Sequence, residues 1–144
     1  MNSIPKELYD KLWAETPSQE IRDLVNKGKR PPYDDPVLPG LKVTKRLDAD
    51  HIVPMKRIAE MDDFDALSFD DQLLVLNNPD NFIGLSRSAN RSRGARHFSE
   101  WTKHEQLGIE VNPVFRQEMI LKERQLEGQL QQQIDDLLKT AGKK

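Results

Sequence analysis

Four prolines, Pro31, Pro32, Pro36 and Pro39, fall between Gly28 and Gly40. Proline fixes φ, lacks the backbone N–H and pushes the residue before it out of the helical region, so neither a helix nor a central strand can run through this stretch. It reads as an extended connector that divides the chain into an N-terminal part and a longer remainder. At 144 residues the chain has the length of one domain with appendages. Cysteine is absent, which excludes a disulfide framework and a thiolate metal site. No segment reads as a membrane helix or signal peptide, so a soluble protein is expected.

The two sides of the connector carry different signals. Thr16-Pro17-Ser18-Gln19 has the form of a capping box with proline at the first helical position, and Gly28 stands where a helix would stop, which predicts a helix over Pro17 to Lys27. A shorter helix over Lys6 to Ala14, with Leu8, Leu12 and Trp13 as its apolar stripe, is predicted before it. Beyond the connector, Leu41 to Val53 is strand-like at its ends, and Asn81 to Leu85 is a second short strand. Between them Ser68 opens a capped helix bearing Leu73, Leu74 and Leu76. Ser86 caps a helix carrying Asn90, and Asn112-Pro113 opens a last helix reaching roughly to Leu138. In that helix Phe115, Met119, Leu126, Leu130, Ile134 and Leu137 form one stripe, read as packing on the parent domain. The expected class is α+β, mainly helical: N-terminal helices and connector over 1–40, a core over 41–111 and a C-terminal helix over 112–144.

A net charge of −2 argues against a general polyanion binder, but the charges are segregated. Ile58 to Asp80 holds seven acidic residues and no Lys or Arg. Leu85 to His104 holds Arg87, Arg91, Arg93, Arg96 and Lys103 against Glu100 alone. The acidic run is read as a solvated insert, the basic run as a surface for phosphates.

The chemistry-bearing residues lie beside that basic run. In Leu47-Asp48-Ala49-Asp50-His51-Ile52-Val53-Pro54, His51 can take a proton from water near neutral pH. Asp50, with Asn90 in Asn81-Phe82-Ile83-Gly84-Leu85-Ser86-Arg87-Ser88-Ala89-Asn90-Arg91, offers hard oxygen ligands suited to Mg²⁺ or Mn²⁺. An unperturbed imidazole predicts activity rising with pH through about 6.5. Adjacent residues of a regular strand face opposite ways, so bringing Asp50 and His51 together requires the strand to lose its regular pleat there.

Together these two segments, about a third of the chain, resemble the HNH, or ββα-metal, nuclease superfamily. Asp-Ala-Asp-His-Ile-Val-Pro is similar to the first strand of the HNH domain of RNA-guided CRISPR nucleases, and the interval from Asn81 to Asn90 matches that between its two asparagines. The resemblance implies a ββα-metal hairpin-plus-helix core. In it Asp50 and Asn90 hold one divalent ion, most suitably Mg²⁺ with Mn²⁺ as the alternative; His51 is the general base; Asn81 steadies the hairpin loop and His51. Asp48 matches too, with a supporting role ranked above ligation. Arg87, Arg91, Arg93 and Arg96 are expected on DNA phosphates. If the helix continues past Gly94, His97 comes to nearly the same face as Asn90 but too far along at about 1.5 Å per residue to share its metal, and contacts a neighbouring phosphate or solvent.

The longer string from Leu76 to Trp101 also resembles C-terminal nuclease domains of secreted bacterial polymorphic toxins, including Rhs-type effectors. That resemblance implies a domain released from a larger carrier, cutting DNA in the cytoplasm of a target cell and blocked by an immunity protein. The basic Arg87 to Lys103 region is ranked above the acidic Ile58 to Asp80 insert as the surface for such an inhibitor. Two alternatives stand beside it: a phage, restriction or repair-type HNH nuclease, and a catalytically inactive HNH-fold binding module. Strand preference, cut-site preference, RNA cleavage and oligomeric state are not legible.

Overall fold

The N-terminal residues fold as two short amphipathic helices, α1 (Lys6–Trp13) and α2 (Gln19–Asn26), in a computed structural model that describes residues 4–142. Ser18, not Thr16, caps α2, its side chain accepting from the Ile21 N–H. Thr16 is buried and turned to another task described below. The stripe of α1 is narrower than expected: Leu12 is fully buried, Leu8 packs at the edge of the core, and Trp13 stands in solvent.

The proline-rich segment is more than a connector. Its prolines sit outside the paired positions, so a two-residue strand β1 (Tyr33–Asp34) can pair antiparallel with β2 (Lys42–Val43). The loop between them is closed by Asp35 N–H to Leu41 C=O at 2.9 Å and by Val37 N–H to the Asp35 carboxylate at 2.8 Å. Val37 and Leu38 at its tip are buried in the core. A sequence that breaks helices and central strands can still fill a core with a tight loop.

The central unit is an antiparallel pair, β3 (Asp48–His51) and β4 (Phe82–Leu85), with Asp48 opposite Leu85 and His51 opposite Phe82. The acidic stretch between them forms α3 (Met55–Ala59), a 3₁₀ turn at Phe64–Ala66, α4 (Phe69–Leu76) and a second 3₁₀ turn at Pro79–Asn81. It buries Ile58, Phe64, Val75 and Leu76 and leaves Leu74 exposed. Helix α5 (Arg87–Arg93) follows β4 directly, its first turn closed by Ser86 accepting from the Ala89 N–H. It ends at Gly94, whose φ of +60° suits a residue without a Cβ, so it does not run on to His97. A small hairpin of β5 (Lys103–His104) and β6 (Ile109–Glu110) leads into the long α6 (Pro113–Thr140), capped by Asn112.

The face of α6 that meets the rest of the chain carries Met119, Leu126, Leu130, Ile134 and Leu138, all buried in one core with Ile52, Val53, Phe98 and Trp101. The apolar stripe therefore packs on the parent domain. Leu138 rather than Leu137 closes it, and Glu123 is buried within it. The class is α+β with small antiparallel sheets and a long C-terminal helix.

The second hairpin strand is crossed closely by α2. A Cβ at Gly84 would fall 2.7 Å from Leu47 Cδ1 and 3.1 Å from the Val25 carbonyl oxygen, so glycine is what permits the approach. Asn26 fixes it with two bonds to the backbone of Leu47: its Oδ1 accepts from the N–H at 2.7 Å and its Nδ2 donates to the C=O at 3.0 Å.

Candidate functional site

A cleft of about 700 Å³ opens between the N-terminal helices on one side and β3 with α5 on the other. It brings together Asp48, Asp50, His51, Asn90, Arg87 and Arg91 from the chemistry-bearing segments. Tyr9, Trp13, Thr16, Pro17 and Arg22 come from the opposite wall. Asn81, Arg93, Arg96 and His97 are not among its lining residues.

Alternation along β3 puts Asp48 and Asp50 on the side of α5. Asp48 accepts from Asn90 Nδ2 at 3.2 Å and from the Arg87 guanidinium at 3.3 and 3.4 Å. Asp50 accepts from Arg93 Nη1 at 2.8 Å. Burial is the main influence on the Asp50 carboxyl and pushes its pKa up to about 6; Arg93 pulls it down, and Asp48 and Glu123 add to the rise. One oxygen of Asp50, expected as a metal ligand, thus already serves an arginine.

His51 follows at the end of the strand. Regular pairing persists through it, so the predicted break in the pleat does not occur. The imidazole lies against the Phe82 ring, with centroids 4.4 Å apart, and toward α1 and α4. Its Nε2 is 2.9 Å from the Leu76 carbonyl oxygen and 3.2 Å from Thr16 Oγ1. A carbonyl can only accept, and Thr16 gives its own proton to Asn77 Oδ1 at 2.7 Å, so Nε2 carries the hydrogen. Nδ1 is then the basic nitrogen, and it has no hydrogen-bond partner among the described residues. Burial is again the dominant cause of the shift in pKa, here down to about 4; the Leu76 bond opposes it and Arg93 reinforces it. The ring is thus neutral well below the pH of about 6.5 expected from an unperturbed imidazole.

Asn81 is fully buried and acts as a substitute for backbone. Its Oδ1 accepts from Val53 N–H at 2.8 Å and its Nδ2 donates to Val53 C=O at 3.1 Å, while its own carbonyl accepts from Ile52 N–H at 2.8 Å. The chain just beyond His51 is clamped in this way to the start of β4.

The basic run divides. Arg91 is exposed on the cleft wall with no partner among the described residues, and Arg87 is exposed but paired with Asp48. Arg93 is 1 % exposed and cannot meet a phosphate. Its Nη1 donates to Asp50 and to the His51 carbonyl at 2.9 Å, and its Nη2 donates to the Ile52 carbonyl at 2.7 Å and lies 3.7 Å from Glu123. The guanidinium also lies 3.7 Å above the Phe98 ring. Arg96 is turned toward Glu105 and the Ser92 and Arg93 carbonyls. Of the four arginines expected on DNA, Arg93 is therefore structural, and Arg96 is half-exposed and paired with the exposed Glu105 outside the cleft.

His97 is partly exposed and lies outside the cleft. It contacts Glu123 through Nδ1, and with Glu123 and Glu127 it forms a trio whose ligand atoms lie within 4.8 Å, a possible metal-binding group outside the cleft. Glu123 also accepts from Phe98 N–H at 2.9 Å, so it already has protein partners on both oxygens. Two further residues carry no signal in the sequence. Thr16 holds the imidazole edge, and His104 is buried with Nε2 3.1 Å from Ser88 Oγ. A buried threonine before a proline and a buried histidine in a hairpin have no periodicity to betray them.

No family model, curated protein or solved structure matches the chain.

Proposed function

We propose that the chain is a metal-dependent DNA endonuclease of the HNH, ββα-metal type. The observation that carries this reading is the tautomer of His51. The Leu76 carbonyl holds the proton on Nε2, which leaves Nδ1 as a proton acceptor on a residue of the cleft that Asp48, Asp50 and Asn90 also line. A polar order of antiparallel pair and following helix supplies that cleft, and the sequence resemblance supports the same assignment.

The donor set fits a hard divalent cation. Asp50 offers a carboxylate oxygen beside the one that serves Arg93, Asp48 supports it with both oxygens engaged by Arg87 and Asn90, and Asn90 has its side-chain Oδ1 unengaged among the described residues. Burial and the neighbouring Asp48 both raise the Asp50 pKa, and a cation would relieve both effects. Oxygen-only donors in small number suit Mg²⁺, which keeps its waters, or Mn²⁺. When bound, such an ion would stabilise negative charge on the phosphate and the leaving oxygen.

The residues of the chain do the rest. His51 accepts a proton from the attacking water at Nδ1, and its Nε2–H stays on Leu76 and Thr16. An incoming phosphate favours the imidazolium and so raises the basicity that burial has depressed. Asn81 holds the backbone after His51, and Arg93 ties Asp50 and the His51 carbonyl to one buried cation. Arg87 and Arg91 are placed to meet the backbone of the substrate.

The toxin setting and an immunity protein rest on the resemblance of Leu76 to Trp101 to polymorphic toxin domains. With Arg93 buried and Arg96 paired with Glu105 outside the cleft, Arg87 and Arg91 are the residues of the basic run that an acidic inhibitor would meet in the cleft. The second reading, an inactive HNH-fold binding module, draws on the Arg93–Asp50 ion pair. Plasmid nicking separates the two: cleavage with Mg²⁺, none with EDTA and none by His51→Ala is expected of the enzyme. Equal activity of His51→Ala and the wild type, each freshly repurified, would refute the assignment.

A further inference from the structure

The walls of the cleft are chemically unlike. β3 and α5 contribute the carboxylates, Asn90, Arg87 and Arg91, whereas α1 and the turn after it contribute Tyr9, Trp13 and Pro17. Trp13 is 67 % exposed, and it is the aromatic residue among the large hydrophobics left in solvent in the described residues. A single exposed side chain needs no explanation by itself. Trp13 differs in its position, because it lines the same cleft as His51. It is also coupled to His51 through one residue: Thr16 N–H reaches the Trp13 carbonyl at 3.5 Å, and the Thr16 hydroxyl lies 3.2 Å from His51 Nε2.

We propose that Trp13 is a stacking platform for an unpaired base, and that the site takes single-stranded or locally unpaired DNA in preference to intact duplex. The proposal rests on the nuclease reading of this cleft. A single strand has a charged edge and an apolar one, and the cleft has a wall for each: arginines for phosphates, an indole with proline and tyrosine for base faces. A base within a duplex is already stacked on both sides and offers no face to an indole. Trp13 and His51 line one cleft, so a strand bound along it meets both. Arg22, exposed and lining the cleft, adds a further positive charge on the side of the indole.

The chain supplies its own reporter. It has two tryptophans, and Trp101 is fully buried with Nε1 on Ser92 Oγ at 2.9 Å, so quenching of indole fluorescence by a bound strand reads Trp13. The probes are an end-labelled deoxythymidine 12-mer, a duplex of equal length and a 12-mer of abasic sugar phosphates, each titrated into the full chain in EDTA. Fluorescence and probe anisotropy are followed together. The wild type is expected to bind the thymidine strand with quenching. Trp13→Ala should bind it about 5- to 150-fold more weakly. Duplex and abasic affinities should change less than about twofold, and Trp13→Phe should recover part of the loss. Because the side chain stands in solvent, these variants keep the fold. Binding of the thymidine strand without quenching overturns the stacking platform and leaves the nuclease reading intact. An equal loss for duplex and single strand in Trp13→Ala does the same. Failure to bind any of the probes overturns the stacking platform, and the plasmid-nicking assay decides the nuclease reading separately.

Discussion

Arg93→Met tests the interior of the site most directly. The substitution keeps an unbranched stem against Phe98 and removes a guanidinium that serves the Asp50 carboxylate, the His51 and Ile52 carbonyls and, at 3.7 Å, Glu123. Removing one member of a buried ion pair costs about 3–5 kcal/mol, because the partner charge stays behind unpaired. The two carbonyls lose their donor as well, so the upper part of that range is expected at pH 7.5. The cost should shrink at pH 5. Asp50 already has a pKa near 6 with Arg93 holding it down, so without the arginine it rises further and takes a proton, removing the orphaned charge. Urea unfolding followed by circular dichroism at the two pH values measures both numbers, with Arg91→Met as the surface control. A cost below about 1 kcal/mol for Arg93→Met at pH 7.5, coupled with a loss of DNA affinity as large as that of Arg91→Met, would refute the structural role and return Arg93 to the phosphate surface.

Magnesium affinity measured by calorimetry should fall as pH drops through about 6, where Asp50 takes a proton, and Asp50→Asn should abolish that dependence. His51 is held neutral, its pKa lowered from 6.5 to about 4, so it contributes stability that is present above 6.5 and lost as pH falls through 4. His51→Gln should therefore gain on the metal-free wild type by up to about 3 kcal/mol between those limits, read from unfolding midpoints. Asn81→Ala leaves the buried Val53 N–H and C=O without partners and should cost roughly 2–5 kcal/mol in urea unfolding. Gly84→Ala forces Leu47 and the Val25 carbonyl away from the new methyl and should cost about 1–3 kcal/mol, with α2 loosened in amide exchange.

Local rules made much of the fold legible. Caps at Ser68, Ser86 and Asn112 mark helix starts because each side-chain oxygen answers an N–H within three residues. The stripe of α6 is legible because burial repeats with the helical period. What was not legible depends on partners distant in sequence. Arg93 lies in a run that is otherwise exposed, and its burial follows from Glu123, thirty residues on and one turn from Met119 in an apolar stripe. Thr16 could not be distinguished from an N-cap, since its partners are His51, Leu76 and Asn77. Val37 and Leu38 were obscured by flanking prolines, whose effect on hydrogen bonding says nothing about burial. For the site, Asp50, His51 and Asn90 were readable as a group, but the hydrogen bond that selects the His51 tautomer comes from a main-chain carbonyl, which no side-chain pattern encodes.

The reach of Arg93 to Glu123 also orders events during synthesis. A ribosome releases the chain from its N-terminus, so Thr16, β3, β4 and α5 all emerge before the residue that completes the cage around the guanidinium. Until α6 docks, Arg93 lacks its neighbour Glu123, and the core lacks Leu126, Leu130 and Ile134. A nascent or truncated chain ending before Glu123 is expected to be unstable.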